Sequence, residues 1–154
     1  MGLLARLLGA TPHTERHLLE DLLAAYRSEA EHAEHLRQHA ALARYPQAAE
    51  QLRALADHED RHAAVLRDLV LAHGGGVPPI APAPLAGGNP WARAVAAQQA
   101  AQRKRREMLQ LVNRWDPEFV EVADVLRRIE REDGGVMGVY NDLVMRADPQ
   151  SLDG

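Results

Sequence analysis

Apolar residues recur along this chain at alternating steps of three and four, the repeat of one face of an α-helix. Four stretches carry the pattern. In the first, Leu19, Leu22, Tyr26, Glu29, Ala33, Leu36 and Ala40 share a face. Thr11-Pro12 opens it as an N-cap with proline in the first helical position, and Tyr45-Pro46 closes it. The second runs from there to His73 with Leu52, Leu55, Glu59, His62, Leu66 and Leu69 inward, and Gly74-Gly75-Gly76 ends it. The third, about Pro90 to Arg114, turns Trp91, Val95, Gln98, Gln102, Arg105, Leu109 and Val112 to one side. The fourth follows the turn Trp115-Asp116-Pro117, with Asp116 as its expected N-cap, and reaches about Arg146. Its inward face reads Phe119, Ala123, Leu126, Glu130, Asp133, Met137, Tyr140 and Val144.

The connections set the topology. Tyr45-Pro46 is too short for anything but an antiparallel hairpin, and so is Trp115–Pro117. Residues 74–90 are rich in proline and glycine and cannot form a regular element. Semi-extended, that linker reaches on the order of 50 Å. The second helix should be about 40 Å long. The linker can therefore run the length of the bundle and start a second hairpin. The expected fold is all-α, one domain over residues 1–154, a four-helix bundle of two antiparallel hairpins joined by a long crossover, the connectivity called ferritin-like.

Composition agrees. The 154 residues are enough for one domain with a real core. Only 4% are aromatic, which disfavours a sheet protein, while the abundant alanine, leucine, arginine and glutamate favour helix. The net charge of −4 argues against a nucleic-acid partner. The absence of cysteine removes disulfides, thiolate zinc sites and iron–sulfur clusters. Residues 1–10, apolar from Met1 to Gly9, read as a small amphipathic cap too short to span a membrane. No membrane partner is expected, and a cytoplasmic location is the default.

Candidate chemistry comes from charges inside the apolar stripes, where an unpaired charge costs several kcal/mol. Glu29 interrupts the first stripe, and Glu59 and His62 interrupt the second. Glu59 and His62 are three apart and share a face. Glu29 and Glu59 each lie 15 residues from Arg44, so an antiparallel hairpin sets them at one height. Two carboxylates and an imidazole should converge at mid-bundle. Helix four offers Glu130 and Asp133 at the same spacing.

At this point the stretch Tyr26–Leu69, YRSEAEHAEHLRQHAALARYPQAAEQLRALADHEDRHAAVLRDL, resembles the ferritin-like superfamily and within it the rubrerythrin-like branch. That family holds two metal ions with a Glu on the first helix, Glu-x-x-His on the second, and a repeat of this set on the second hairpin. Glu29, Glu59 and His62 match the first half. The second half departs: helix three has Gln98 and Gln102 near the matching height, and helix four has Glu130-x-x-Asp133. The resemblance implies a metal set of Glu29, Glu59, His62, Glu130 and Asp133, holding iron (one or two ions) or manganese. It also implies ferroxidase or peroxide-related oxidative chemistry and self-association, with a dimer the simplest homo-oligomer.

Two other readings stay open. The carboxylates can form a metal-free polar network inside a scaffold or interaction protein, with Arg105 neutralising them. Alternatively, His32, His35 and His39 can make a nickel, copper or zinc buffer, although His35, His39 and His58 read more simply as solvated. Arg103–Arg106 reads as a solvated face, and Met108, Met137 and Met145 as core. Gly134, Gly135 and Gly138 imply close packing, or a break in helix four beside Glu130 and Asp133.

Overall fold

The computed structural model describes residues 12–81 and 83–147. It contains α1 (Pro12–Leu42), α2 (Pro46–Ala72), α3 (Pro90–Trp115), α4 (Val120–Gly135) and α5 (Met137–Arg146). The expected cap over residues 1–10 and the N-cap at Thr11 lie outside the described residues. Among those described, no helix is long and apolar enough to cross a membrane.

Each boundary has a local cause. Pro46 starts α2 at its first turn, and the chain leaves α2 through Gly74, whose φ of +82° suits a residue without Cβ. The Gly75 amide then donates to the Val70 carbonyl at 2.9 Å. Asn89 caps α3 by accepting from the Ala92 amide at 2.8 Å, with Pro90 beside it. Asp116 does not cap helix four as expected. It continues the end of α3 and accepts from Arg127 at 2.9 Å, while α4 begins at Val120. The fourth helix is also two: the backbone breaks at Val136, directly after the glycine pair.

α1 packs along α2, and α3 packs against α4 and α5. The crossover is tied to the first hairpin by Val77, which packs on the lower core, and by the Ala83 carbonyl, which lies 2.7 Å from His35 Nε2. The bundle interior has two apolar parts. The lower is built from Leu18, Leu22, Leu66, Val70, Met108, Val112, Trp115, Phe119, Leu126 and Ile129. The upper is smaller and holds Leu36, Ala40, Leu52, Leu55, Ala101 and Tyr140. Each fully buried leucine contributes about 1.5–3 kcal/mol. Along every one of α1 to α4, the residues between these two parts are polar and buried: Glu29, Glu59 with His62, Lys104, and Asp133.

α3 is rotated from the expected face. Its buried side is Ala94, Ala101, Lys104, Met108, Val112 and Trp115, whereas Gln102 and Leu109 are exposed and Trp91 is largely so. The aromatic Trp115 and Met108 anchor this side in the lower core, and the 3.6-residue repeat then carries Lys104 inward. On α4, Ile129 takes the inward place expected for Glu130. Met108 is core, but Met145 is exposed.

Candidate metal centre

Glu29, Glu59, His62 and Asp133 are each at most 4% exposed. Three helices bring one ligand atom from each to within 4.8 Å of the others. The matched heights of Glu29 and Glu59 come from the short α1–α2 turn, and the helical repeat adds His62 one turn on. Asp133 enters from α4 four residues after Ile129, so the apolar anchoring of Ile129 aims it inward. Glu130 does not join this cluster. Its carboxylate accepts from Arg105 Nη2 at 2.7 Å. Gly134 lies against that pair: a Cβ there would stand 2.8 Å from the same Nη2 and oblige the Arg105 side chain to shift.

The fourth helix contributes a cation. Lys104 Nζ donates to Glu29 at 2.8 Å and to Glu59, and lies 3.2 Å from Asp133 Oδ2. Lys104, 6% exposed, is the internal counter-ion, and Arg105 sits at the periphery. Three carboxylates against one ammonium leave a formal charge of −2 before His62 is counted. Burial of such an excess is costly unless another cation or protons join it.

The titration behaviour follows from that arrangement. Burial opposes ionisation of Glu29, but hydrogen bonds from Glu59 and His62 and the charge of Lys104 outweigh it and hold Glu29 well below the usual carboxylate range. Burial pushes Glu59 up to about 9, helped by the neighbouring Glu29 and only partly countered by Lys104. Burial also opposes charging of His62, yet hydrogen bonds to Asp133, Glu29 and Glu132 win and raise it to about 10. Burial pulls Lys104 down, and the charges of Glu29, Glu59 and Asp133 more than restore it, so its pKa rises. Without a further cation, the cluster therefore holds a proton on Glu59 and one on His62 at neutral pH.

His62 is oriented from outside. Its Nε2 lies 2.7 Å from Glu132 on α4, which favours a proton on that nitrogen and leaves Nδ1 facing Asp133 Oδ1 at 3.1 Å and Glu29 at 3.7 Å. Nδ1 between two carboxylates calls for the proton it carries at neutral pH or, in its place, a metal cation. Glu29 Oε1 is buried without a hydrogen-bond partner, and the buried His62 Nδ1 and Asp133 oxygens have only ion-pair contacts, to each other and to Lys104. Two ligands each about 2.1 Å from a common ion are at most about 4.2 Å apart. All four ligand atoms lie within 4.8 Å of one another, so even a pair at that bound needs each group to move by only about 0.3 Å to meet the limit. The residues present thus fit one metal ion.

The histidines of α1 do not converge. His32 stacks on Tyr140, with ring centroids 5.4 Å apart, and burial with the Lys104 charge lowers its pKa to about 3. His35 is held to the crossover, and His39 is buried instead of solvated, its pKa lowered to about 4 by burial and Arg93. None of the three belongs to a group of potential metal ligands among the described residues. His58, also expected to be solvated, is half-buried and lies edge-on to His62 at 4.3 Å. The sequence reading thus missed Lys104, a member of the site, and the partial burial of His58, which lies beside it. The apolar spacing Met108–Val112–Trp115 leads back to Lys104, and the run His58-Glu59-Asp60-Arg61-His62 has two histidines four apart on one helix.

No family model and no curated protein matches the sequence. Solved structures do. A point mutant of Dps1 from Mycobacterium smegmatis superposes with a TM-score of 0.74 at 9% identity, covering 87% of this chain and 99% of that one. Bacterioferritin from Rhodobacter capsulatus, in a structure with a metal-free dinuclear site and haem iron, gives a TM-score of 0.72 at 15% identity over 90% of this chain and 98% of that one. With hairpin, crossover and hairpin observed in that order, this chain is a four-helix bundle of the ferritin-like fold.

Proposed function

We propose that the chain binds one divalent transition-metal ion, iron or in its place manganese, through Glu29, Glu59, His62 and Asp133. The observation that carries this reading is the convergence of four buried ligand atoms, several of them without a hydrogen-bond partner. Three carboxylates and one imidazole suit iron and manganese. Lys104 stands as a fixed second cation, so the expected stoichiometry is one ion per chain rather than two. Ferrous iron held there would supply one-electron redox chemistry towards dioxygen or peroxide, the rubrerythrin-like activity that the sequence pattern suggests. The chain's own part is to hold and orient: Glu132 fixes His62, Lys104 fixes the carboxylates, and the two apolar halves of the core keep bulk water away. Elemental analysis after anaerobic ferrous loading and desalting tests the reading. About one iron per chain is expected, and none in Glu59→Ala. No iron in the unmutated chain sinks it.

One observation favours a second reading, a metal-free scaffold: the ammonium of Lys104 already lies among three carboxylates. A metal-free protein melts at the same temperature with and without chelator. A metal protein at a hundredfold excess of ion over Kd gains about 2.7 kcal/mol, which the chelator removes.

A further inference from the structure

We infer that His58, His62 and Asp133 form a second cation position on the seam between α2 and α4, built for a metal that prefers imidazole, such as zinc, copper, nickel or cobalt. Their ligand atoms also lie within 4.8 Å of one another. His58 and His62 are one turn apart on α2, and this His-Glu-x-x-His spacing is the one by which a single helix offers two imidazoles to zinc. Asp133 reaches across from α4 as the third ligand.

The orphaned atoms supply the independent support. His58 Nε2 is shielded from solvent and has no hydrogen-bond partner; His62 Nδ1 and the Asp133 oxygens are buried beside it with only ion-pair contacts, to each other at 3.1 Å and to Lys104 at 3.2 Å. A buried polar atom left unpaired costs about 1–3 kcal/mol. A cation shared with His62 and Asp133 would give His58 Nε2 the partner it lacks. His62 and Asp133 are themselves almost fully buried, whereas His58 is only half-buried and Glu132 beside it is exposed, so the position lies nearer the surface than the inner site. Two imidazoles and one carboxylate shift the preference away from manganese towards softer ions. Glu59 is engaged by Lys104 and is not one of the three ligands of this outer position. The position shares His62 and Asp133 with the site proposed above, so one ion occupies one place or the other. It does not need Glu29 or Glu59, and it therefore stands or falls apart from that proposal.

The test is zinc and cobalt(II) titration of the unmutated chain, His58→Ala and Glu59→Gln, with manganese binding measured on the same samples. Even an outer-sphere partner of a metal is worth tenfold or more in affinity, so loss of His58 should weaken zinc binding by at least roughly tenfold. Manganese binding should not change in His58→Ala, and zinc binding should survive in Glu59→Gln. In the unmutated chain, zinc should shift the ¹⁵N resonances of the His58 ring, a readout independent of any folding defect. Zinc affinity unchanged in His58→Ala, or His58 resonances unmoved by zinc, overturns the inference. Zinc lost in Glu59→Gln also overturns it, and places the ion in the inner site. If His58 governs zinc binding while no sample takes manganese or ferrous iron, the outer position stands and the inner one falls.

Discussion

Replacing Lys104 by methionine keeps most of the side-chain volume and removes only the charge. Glu29, Glu59 and Asp133 would then face one another without their common donor. Removing one partner of a buried ion pair costs about 3–5 kcal/mol. A chain of this size loses about 2–4 °C of melting temperature per kcal/mol, so the metal-free variant should melt about 6–20 °C below the unmutated protein. The sign of the pH dependence follows from the lost charge. Without Lys104 the carboxylates bind protons more tightly in the folded than in the unfolded chain. Such groups stabilise below the unfolded pKa, and that contribution disappears as the pH rises through the folded one. The deficit should therefore be small near about pH 5 and largest near about pH 8.5. Melts of both proteins at those two pH values, with chelator present, measure it. A variant within about 2 °C of the unmutated chain at both values would show that Lys104 is not the internal counter-ion.

Metal binding should release protons. Ligands bind deprotonated, and Glu59 and His62 are held protonated at neutral pH. Calorimetry in buffers of different ionisation enthalpy should show about two protons released per ion at pH 7, with affinity rising with pH; no release would contradict the assignment. His32 should make the fold acid-sensitive. Its folded pKa, lowered to about 3, lies below the unfolded value, so its contribution is full above about pH 6.5 and shrinks as the pH falls. In His32→Phe the slope of stability between about pH 6 and pH 4 should drop by about 1.4 kcal/mol per pH unit, read from denaturant midpoints; an unchanged slope refutes this. Glu130→Gln should leave metal content unchanged, because that carboxylate belongs to Arg105. Loss of metal in that variant would restore Glu130 to the ligand set.

The fold was legible because the connections have little freedom. Tyr45-Pro46 permits only a hairpin, and a long proline-rich segment permits only a crossover. The first half of the site was legible for the same reason: the hairpin sets Glu29 and Glu59 level before any side chain is placed. The second half depended on helix rotation, which periodicity fixes only to within one residue. Two faces of α3 fit a three-and-four spacing about equally well, and the weight of Trp115 and Met108 selects the one that buries Lys104. On α4 a step of one residue exchanges Glu130 for Ile129 and leaves Asp133 as the inward acid. Lys104 was misread because it lies within four consecutive cations, a composition that ordinarily marks a solvated face. His58 was misread as a surface residue because Asp133, which the fold brings near it, is on another helix, 75 residues away.

The inner site is proposed to hold one cation, with Lys104 beside it as the fixed counter-ion. An anomalous difference map at the iron absorption edge, from crystals grown anaerobically with ferrous iron, tests this most directly. One peak per chain is expected, bound by His62 Nδ1 and by oxygens of Glu29, Glu59 and Asp133, with Lys104 Nζ still hydrogen-bonded among the carboxylates. No peak within the bundle, or two peaks with Lys104 swung out, would contradict it.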